Sequence, residues 1–203
     1  MTAGNYYQRE GEQPFVFYRD VENKLGNKIT VEVNLLAGEY GGTGKGRRHQ
    51  KAQDVQARKA RGCDLVFGSP AKIVLSGMLP NGATNKLTVK VASIGTFLVM
   101  KGMALWQRMN EKDAYDVYYC CKYYPGGLGS LIEAVGSLVK NNLAKEGLRK
   151  IKAKFATIDG IGPTWVTDFL ELSDVEEKAR IQREAFELVN SLMHALDIEP
   201  YSE

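Results

Sequence analysis

Two periods divide the chain. Up to about residue 91 the apolar positions come in short β-branched runs, and from residue 93 onward they recur every three or four positions over long stretches. The clearest alternating run is Ile29 to Leu36, ITVEVNLL, with Val31, Val33 and Leu35 on one face and Glu32 and Asn34 on the other. Phe15 to Tyr18 predicts a second strand. The turn residues between Arg19 and Lys28, Gly26-Asn27 among them, predict that the two pair as a hairpin. Cys63 to Phe67 reads as a further short strand. Ser69-Pro70 could open a helix, but Ile73-Val74-Leu75, a Pro80-Asn81-Gly82 turn and Leu87 to Val91 predict a second hairpin. Residues 1–14 are polar and without period, and read as an irregular leader or as the tail of something cut away.

The helical half opens at Ser93, an N-cap by residue type whose hydroxyl is expected to accept from the first free N–H groups. Ile94, Phe97, Leu98, Leu105 and Arg108 follow at helical spacing. A break is expected at Asn110-Glu111, then a second helix from KDAYDVYY. After Pro125-Gly126-Gly127, helical patterns run over about 128–144, 145–155 and 164–171, with DGIGP at 159–163 as a loop. The last helix, about 174–196, carries an apolar stripe from Ile181 to Leu196. Strands first and helices afterwards is an α+β pattern: a small mixed or antiparallel sheet from a strand-rich part, 1–92, covered by a helical bundle, 93–203.

One position breaks the helical pattern. At about 100° per residue, Lys101 falls in the middle of the apolar arc of Ile94, Phe97, Leu98 and Leu105. A lysine there buries its charge, snorkels past Phe97, or meets an anion. Arg108 stands two turns along the same face, and Asp113 and Asp116 lie three apart in the next helix. Two cations and two carboxylates thus fall within sixteen residues, the composition of a site for an anionic ligand or for a phosphate with a metal. The other reading is structural, with the two aspartates favouring the positive end of their helix.

Composition adds bounds. The 203 residues suit one large domain or two small ones, and the net charge of +3 names no partner. Three cysteines, two adjacent as Cys120-Cys121, form neither a disulfide framework nor metal-ligand spacing. With no apolar run of about 18 residues and no signal peptide, a reducing cytoplasm is the default expectation. The glycine-rich GEYGGTGKG fails as a phosphate loop, because Glu39 stands where the first glycine is needed and Gly46 follows the lysine. Lys45 to Arg61 carries seven basic residues against Asp54, a run that attracts phosphate backbones or else forms a solvated loop and helix face. Asp20-Val21-Glu22 has an acid-x-acid spacing but falls in the expected turn.

Lys101 with Leu105 and Arg108, followed by KDAYD at 112–116 and a Tyr-rich helix, resembles the C-terminal motifs of the nucleotidyltransferase-like toxin family of AbiEii type, within the DNA polymerase β-like superfamily. ITVEVNLL followed by AGEYGGTGKG resembles the family's middle region, so the similarity spans roughly residues 15–125. The family's opening Gly-Ser turn with its Asp-x-Asp/Glu pair has no counterpart here. Its later strand carboxylate, in a VDLL-like context, is matched by Asn34 in Val33-Asn34-Leu35-Leu36, with Glu32 as a substitute two residues earlier.

The resemblance implies transfer of a nucleotide to an RNA or protein acceptor in toxin–antitoxin or abortive-infection systems, with Mg²⁺ and a nucleoside triphosphate. It implies catalytic roles for Lys101, Asp113 and Asp116, phosphate contacts from Lys101, Arg108 and Lys112, and weak metal ligation by Glu32 and Asn34. Lys45, Arg47, Arg48 and Lys51 would steer an RNA such as tRNA, and an antitoxin would be the protein partner. Without the first metal carboxylates, little transfer is expected of this chain, as in a fragment or a degenerate member. The rival reading is a non-catalytic module that binds nucleotide, RNA or a partner.

Overall fold

The computed structural model describes residues 4–23, 25–39, 49–52, 55–79 and 82–202. The chain forms two compact units, Met1–Asp64 and Leu65–Glu203. This division follows spatial packing, whereas the boundary at 92/93 follows element type.

In the first unit, β1 (Val16–Glu22) pairs antiparallel with β2 (Lys28–Asn34), as the hairpin pattern predicts, with Val16 opposite Asn34 and Glu22 opposite Lys28. Asp20 and Glu22 therefore lie in a strand and not in the turn. The cross-strand Thr30 hydroxyl donates to Asp20 at 2.7 Å, and the Tyr7 hydroxyl donates to it at 3.2 Å. The turn is shorter than expected: Asn23 Oδ1 accepts from the N–H groups of Leu25 and Asn27, and Gly26 sits at φ 76° where a side chain would be strained. The apolar face of β2 is only partly buried, with Ile29 and Val31 exposed. The small core of this unit is Phe15, Val16 and Tyr18, against which Leu35 packs.

Residue 35 hands the chain to a second sheet. Its N–H donates to Phe15, its carbonyl accepts from Arg58, and β3 (Leu36–Ala37) then runs parallel to β5 (Val55–Lys59). β4 (His49–Ala52) pairs with β5 antiparallel. Within the basic stretch, residues 49–52 and 55–59 are therefore strand, where the solvated alternative had a loop and helix face. Gln56 and Arg58 are exposed on either side of buried Ala57, the period of two that a run dominated by charges conceals.

The second unit begins with α1 (Leu65–Gly68), a single helical turn where Cys63 to Phe67 predicts a strand. β6 (Ala71–Met78) and β7 (Thr84–Val91) form the expected hairpin, pairing Ala71 with Val91 and Met78 with Thr84. β6 is exposed along its whole length, so helices do not cover this ribbon. The described strands form three separate small sheets and not one. The fold is α+β, with a helical C-terminal part.

That part comprises α2 (Ile94–Arg108), α3 (Glu111–Tyr123), α4 (Gly127–Gly136), a 3₁₀ turn (Ser137–Lys140), α5 (Asn142–Lys154), α6 (Ile161–Phe169) and α7 (Val175–Ala195). The expected helix over 128–144 is split because Asn141 caps α5, its side chain accepting from the N–H groups of Leu143 and Ala144. α6 begins inside the expected DGIGP loop. The core is continuous: Leu98, Leu105, Val117, Leu131, Leu148, Ile151, Phe155, Val189, Leu192 and Met193 are fully buried. α2 and α5 cross at glycine. A Cβ on Gly102 would lie 2.0 Å from the Gly147 carbonyl oxygen, and one on Gly147 would lie 2.6 Å from that of Val99. Among the described residues no helix is long and apolar enough to cross a membrane.

Candidate functional site: an ion cluster where two helices meet

The corner between α2 and α3 is made by two residues. Met109 turns left-handed at φ 49° and ends α2, one residue ahead of the expected break. Asn110 caps α3, its Oδ1 accepting from the Lys112 N–H at 2.9 Å while its carbonyl accepts from Asp113. At the far end of α2 the Ser93 hydroxyl bonds the Thr96 hydroxyl at 3.0 Å and does not cap the helix as expected. The corner folds α3 back beside α2, and Asp113 comes to face the side of α2 that carries Lys101 and Arg108.

Asp113 is 1% exposed, and both its oxygens are engaged. Lys101 Nζ donates to Oδ1 at 2.9 Å, while Arg108 donates through Nε to Oδ2 and through Nη2 to Oδ1, each at 2.7 Å. Lys101 also pairs with Asp116 at 2.5 Å, and Lys112 reaches Asp116 one turn along α3 at 2.9 Å. The lysine in the apolar arc therefore neither snorkels free nor stays unpaired. Its ammonium lies 5.4 Å from the centre of the Phe97 ring and meets two carboxylates.

The electrostatics follow from this geometry. Burial opposes the charge on Lys101, but the bonds to Asp116 and Asp113 outweigh it and raise its pKa. Burial would push the Asp113 carboxyl up. The bonds from Arg108 and Lys101 outweigh that too, and hold it below the ordinary carboxylate range. The bond to Asp113 raises Arg108 in turn. Three cations meet two carboxylates, leaving one positive charge in excess. It faces outward, because the Arg108 and Lys112 side chains are 48% and 59% exposed. Arg108 Nη1 and the remaining ammonium proton of Lys112 take no part in these bonds. Asp113 thus has both oxygens occupied and lies out of reach of solvent.

The other residues the sequence singles out lie elsewhere. Glu32 and Asn34 sit on β2 in the first unit, where the Asn34 amide donates to Glu32 Oε1 at 2.6 Å. One carboxylate and one amide bonded to each other do not make the octahedral oxygen set that Mg²⁺ requires, so these two do not by themselves fit the metal. Among the described residues no three His, Cys, Asp or Glu side chains are grouped to hold a metal ion. Lys51 lies on β4, its backbone opposite Gln56, while Lys45, Arg47 and Arg48 fall outside the described residues. Burial pushes the Cys120 thiol up to about 11 and Cys121 to about 12, which leaves neither nucleophilic at neutral pH.

A second polar cluster was not anticipated. The Tyr118 hydroxyl donates to Glu184 of α7 at 2.8 Å, and Lys122 donates to both. Burial together with the Glu184 bond takes the Tyr118 phenol up to about 12. The signal in the sequence was a Tyr and a Lys four apart, but their partner lies 66 residues away. The chain matches no family model, no curated protein and no solved structure.

Proposed function

We propose that the α2–α3 corner is a phosphate-binding site, and that the chain is a nucleotidyltransferase-like module that binds nucleotide or RNA without catalysing transfer. The observation that carries this reading is the excess positive charge held by Lys101, Arg108 and Lys112 around Asp113 and Asp116, with the open side formed by Arg108 and Lys112. In it, Arg108 Nη1 and Lys112 Nζ contact phosphate oxygens. Lys101 neutralises Asp116 so that the anion is not repelled, and Asp113 fixes the guanidinium plane from behind. The motif resemblance at 101–116 supports the nucleotide as the source of the phosphate.

The second reading is the transfer reaction itself, on an RNA or protein acceptor, in a toxin with an antitoxin partner. It rests on the same resemblance. Against it weigh the occupied oxygens of Asp113 and the donor set of Glu32 and Asn34. Calorimetric titration with a nucleoside triphosphate, with and without Mg²⁺, tests the choice. Wild type is expected to bind in both conditions, and Arg108→Met with Lys112→Met is expected to lose on the order of 1–3 kcal/mol of binding, measured at a temperature where the variant, destabilised because buried Asp113 loses two donors, is still folded. Equal binding by wild type and this double variant would remove the site. Nucleotide incorporation into RNA or protein by the purified chain would restore the enzyme.

A further inference from the structure

The corner does not end at Lys112. Counted at about 100° per residue along α3, Lys112, Asp116, Tyr119 and Tyr123 fall within roughly 60° of one another, a straight stripe leading away from the cation cluster. Tyr115 lies on the edge of this stripe. Tyr119 and Tyr123 are 49% and 56% exposed, far more than tyrosines that serve the core, such as Tyr118 at 2%. The rings form a ladder: Tyr123 to Tyr119 with centroids 4.8 Å apart, Tyr119 to Tyr115 at 5.9 Å, and Tyr115 stacked on Phe169 of α6 at 4.6 Å. Phe169 is itself 37% exposed.

We propose that this ladder is a stacking platform for single-stranded nucleic acid, whose backbone enters over Arg108 and Lys112. The inference rests on the reading of the corner as a phosphate site and extends it from a phosphate to a polymer. Tyr119 and Tyr123 lie too close, 4.8 Å apart and tilted at 45°, to admit a base between them, so bases would stack on their outward faces, and such stacking tolerates any sequence because every base has a π-face. Charge complementarity favours this occupant over an apolar protein strand. Lys112 lies at one end of the stripe, while Lys122, 5.4 Å from the Tyr123 ring centre, is already paired with Glu184. The one carboxylate in the stripe, Asp116, is bonded by Lys101 and Lys112 and repels little. Glu184 is bonded by Lys122 and Tyr118, and Glu111 stands at the start of α3 beside the corner.

The test measures binding of dye-labelled oligouridylate and the matched oligothymidylate to the full chain by fluorescence anisotropy, over a salt series. Wild type is expected to bind both, with affinity falling as salt rises, and a duplex of the same length is expected not to compete. Tyr119→Leu with Tyr123→Leu keeps apolar bulk but removes the ring faces, and should weaken binding at least about fivefold. Tyr119→Phe with Tyr123→Phe keeps the faces and should stay within about twofold of wild type. If the leucine pair melts early, Tyr123→Leu alone carries the test, at the more exposed of the two positions. Undiminished binding by the leucine variants overturns the platform, and so does equal loss in the phenylalanine pair, which would assign the contact to the hydroxyls. Mononucleotide binding that depends on Arg108 and Lys112, with no oligonucleotide binding, overturns the platform and leaves the phosphate site standing. Loss of both removes both.

Discussion

Asp113 concentrates the chemistry of the second unit in one carboxylate. A buried charge is stable only when paired and hydrogen-bonded, and here three donors from two side chains meet two oxygens. Asp113→Asn keeps the shape but removes the charge, and should cost about 3 kcal/mol at neutral pH, because Lys101 and Arg108 lose their shared anion. The folded pKa of Asp113 is depressed. Its stabilisation is therefore complete above the ordinary carboxylate value of about 4 and is lost as pH falls through the lower folded value. Urea unfolding of wild type and Asp113→Asn across the acid range should show a constant gap above about pH 4 that closes below it. The folded pKa of Lys101 is raised, so its contribution is intact below about pH 10.4 and disappears as pH rises through the folded value. Lys101→Met should destabilise the fold by about 1–3 kcal/mol at neutral pH, since it leaves two carboxylates short of a donor. A neutral or stabilising result would mean that the lysine only snorkels.

At the scale of elements, glycine shows propensity and packing pulling in opposite directions. Alanine is the better helix former by about 1 kcal/mol, so from propensity alone Gly102→Ala and Gly129→Ala should both stabilise. Only Gly129 should do so. An added Cβ there meets no atom within 4 Å, whereas at Gly102 it would lie 2.0 Å from the backbone oxygen of Gly147. Gly102→Ala forces α2 and α5 apart and should cost at least about 1–3 kcal/mol in thermal or chemical unfolding, against a gain of about 1 kcal/mol for Gly129→Ala. A gain at Gly102 would show that the two helices do not cross as closely as the structure has them. The same contest decided other elements. The alternation of Val55 to Lys59 is a strand signal, but it sits in a run of charges, and its one fully buried residue, Ala57, is too small to announce a core.

The whole molecule is two compact units with separate cores, and the ion cluster belongs entirely to the second. A chain of residues 65–203 should therefore fold cooperatively on its own, with a melting transition that Asp113→Asn lowers as it does in the full chain. Failure of this piece to fold would mean that the unit's core is not self-sufficient. Metal dependence is also a property of the whole chain. With Asn34 and Glu32 bonded to each other, nucleotide affinity should change little between Mg²⁺ and its absence. A sub-micromolar affinity that requires Mg²⁺ would reveal ligands outside those identified.

What was legible in the sequence is what depends on near neighbours. The β1–β2 and β6–β7 hairpins, the helical stretch from Ile94, the break before α3 and the last helix all follow from periods and turn residues within a dozen positions. The oddity of Lys101 in an apolar arc was legible too, but burial, snorkelling and an anion all remained open to it. Tertiary structure decided which partners meet. It turned Asp113 inward between Lys101 and Arg108 and made it a pin, and it left Arg108 and Lys112 as the open edge. It divided the described strands among three sheets, and it pressed Gly102 against Gly147. Periodicity records which face of an element is apolar. It does not record which residue, tens of positions away, will cover that face.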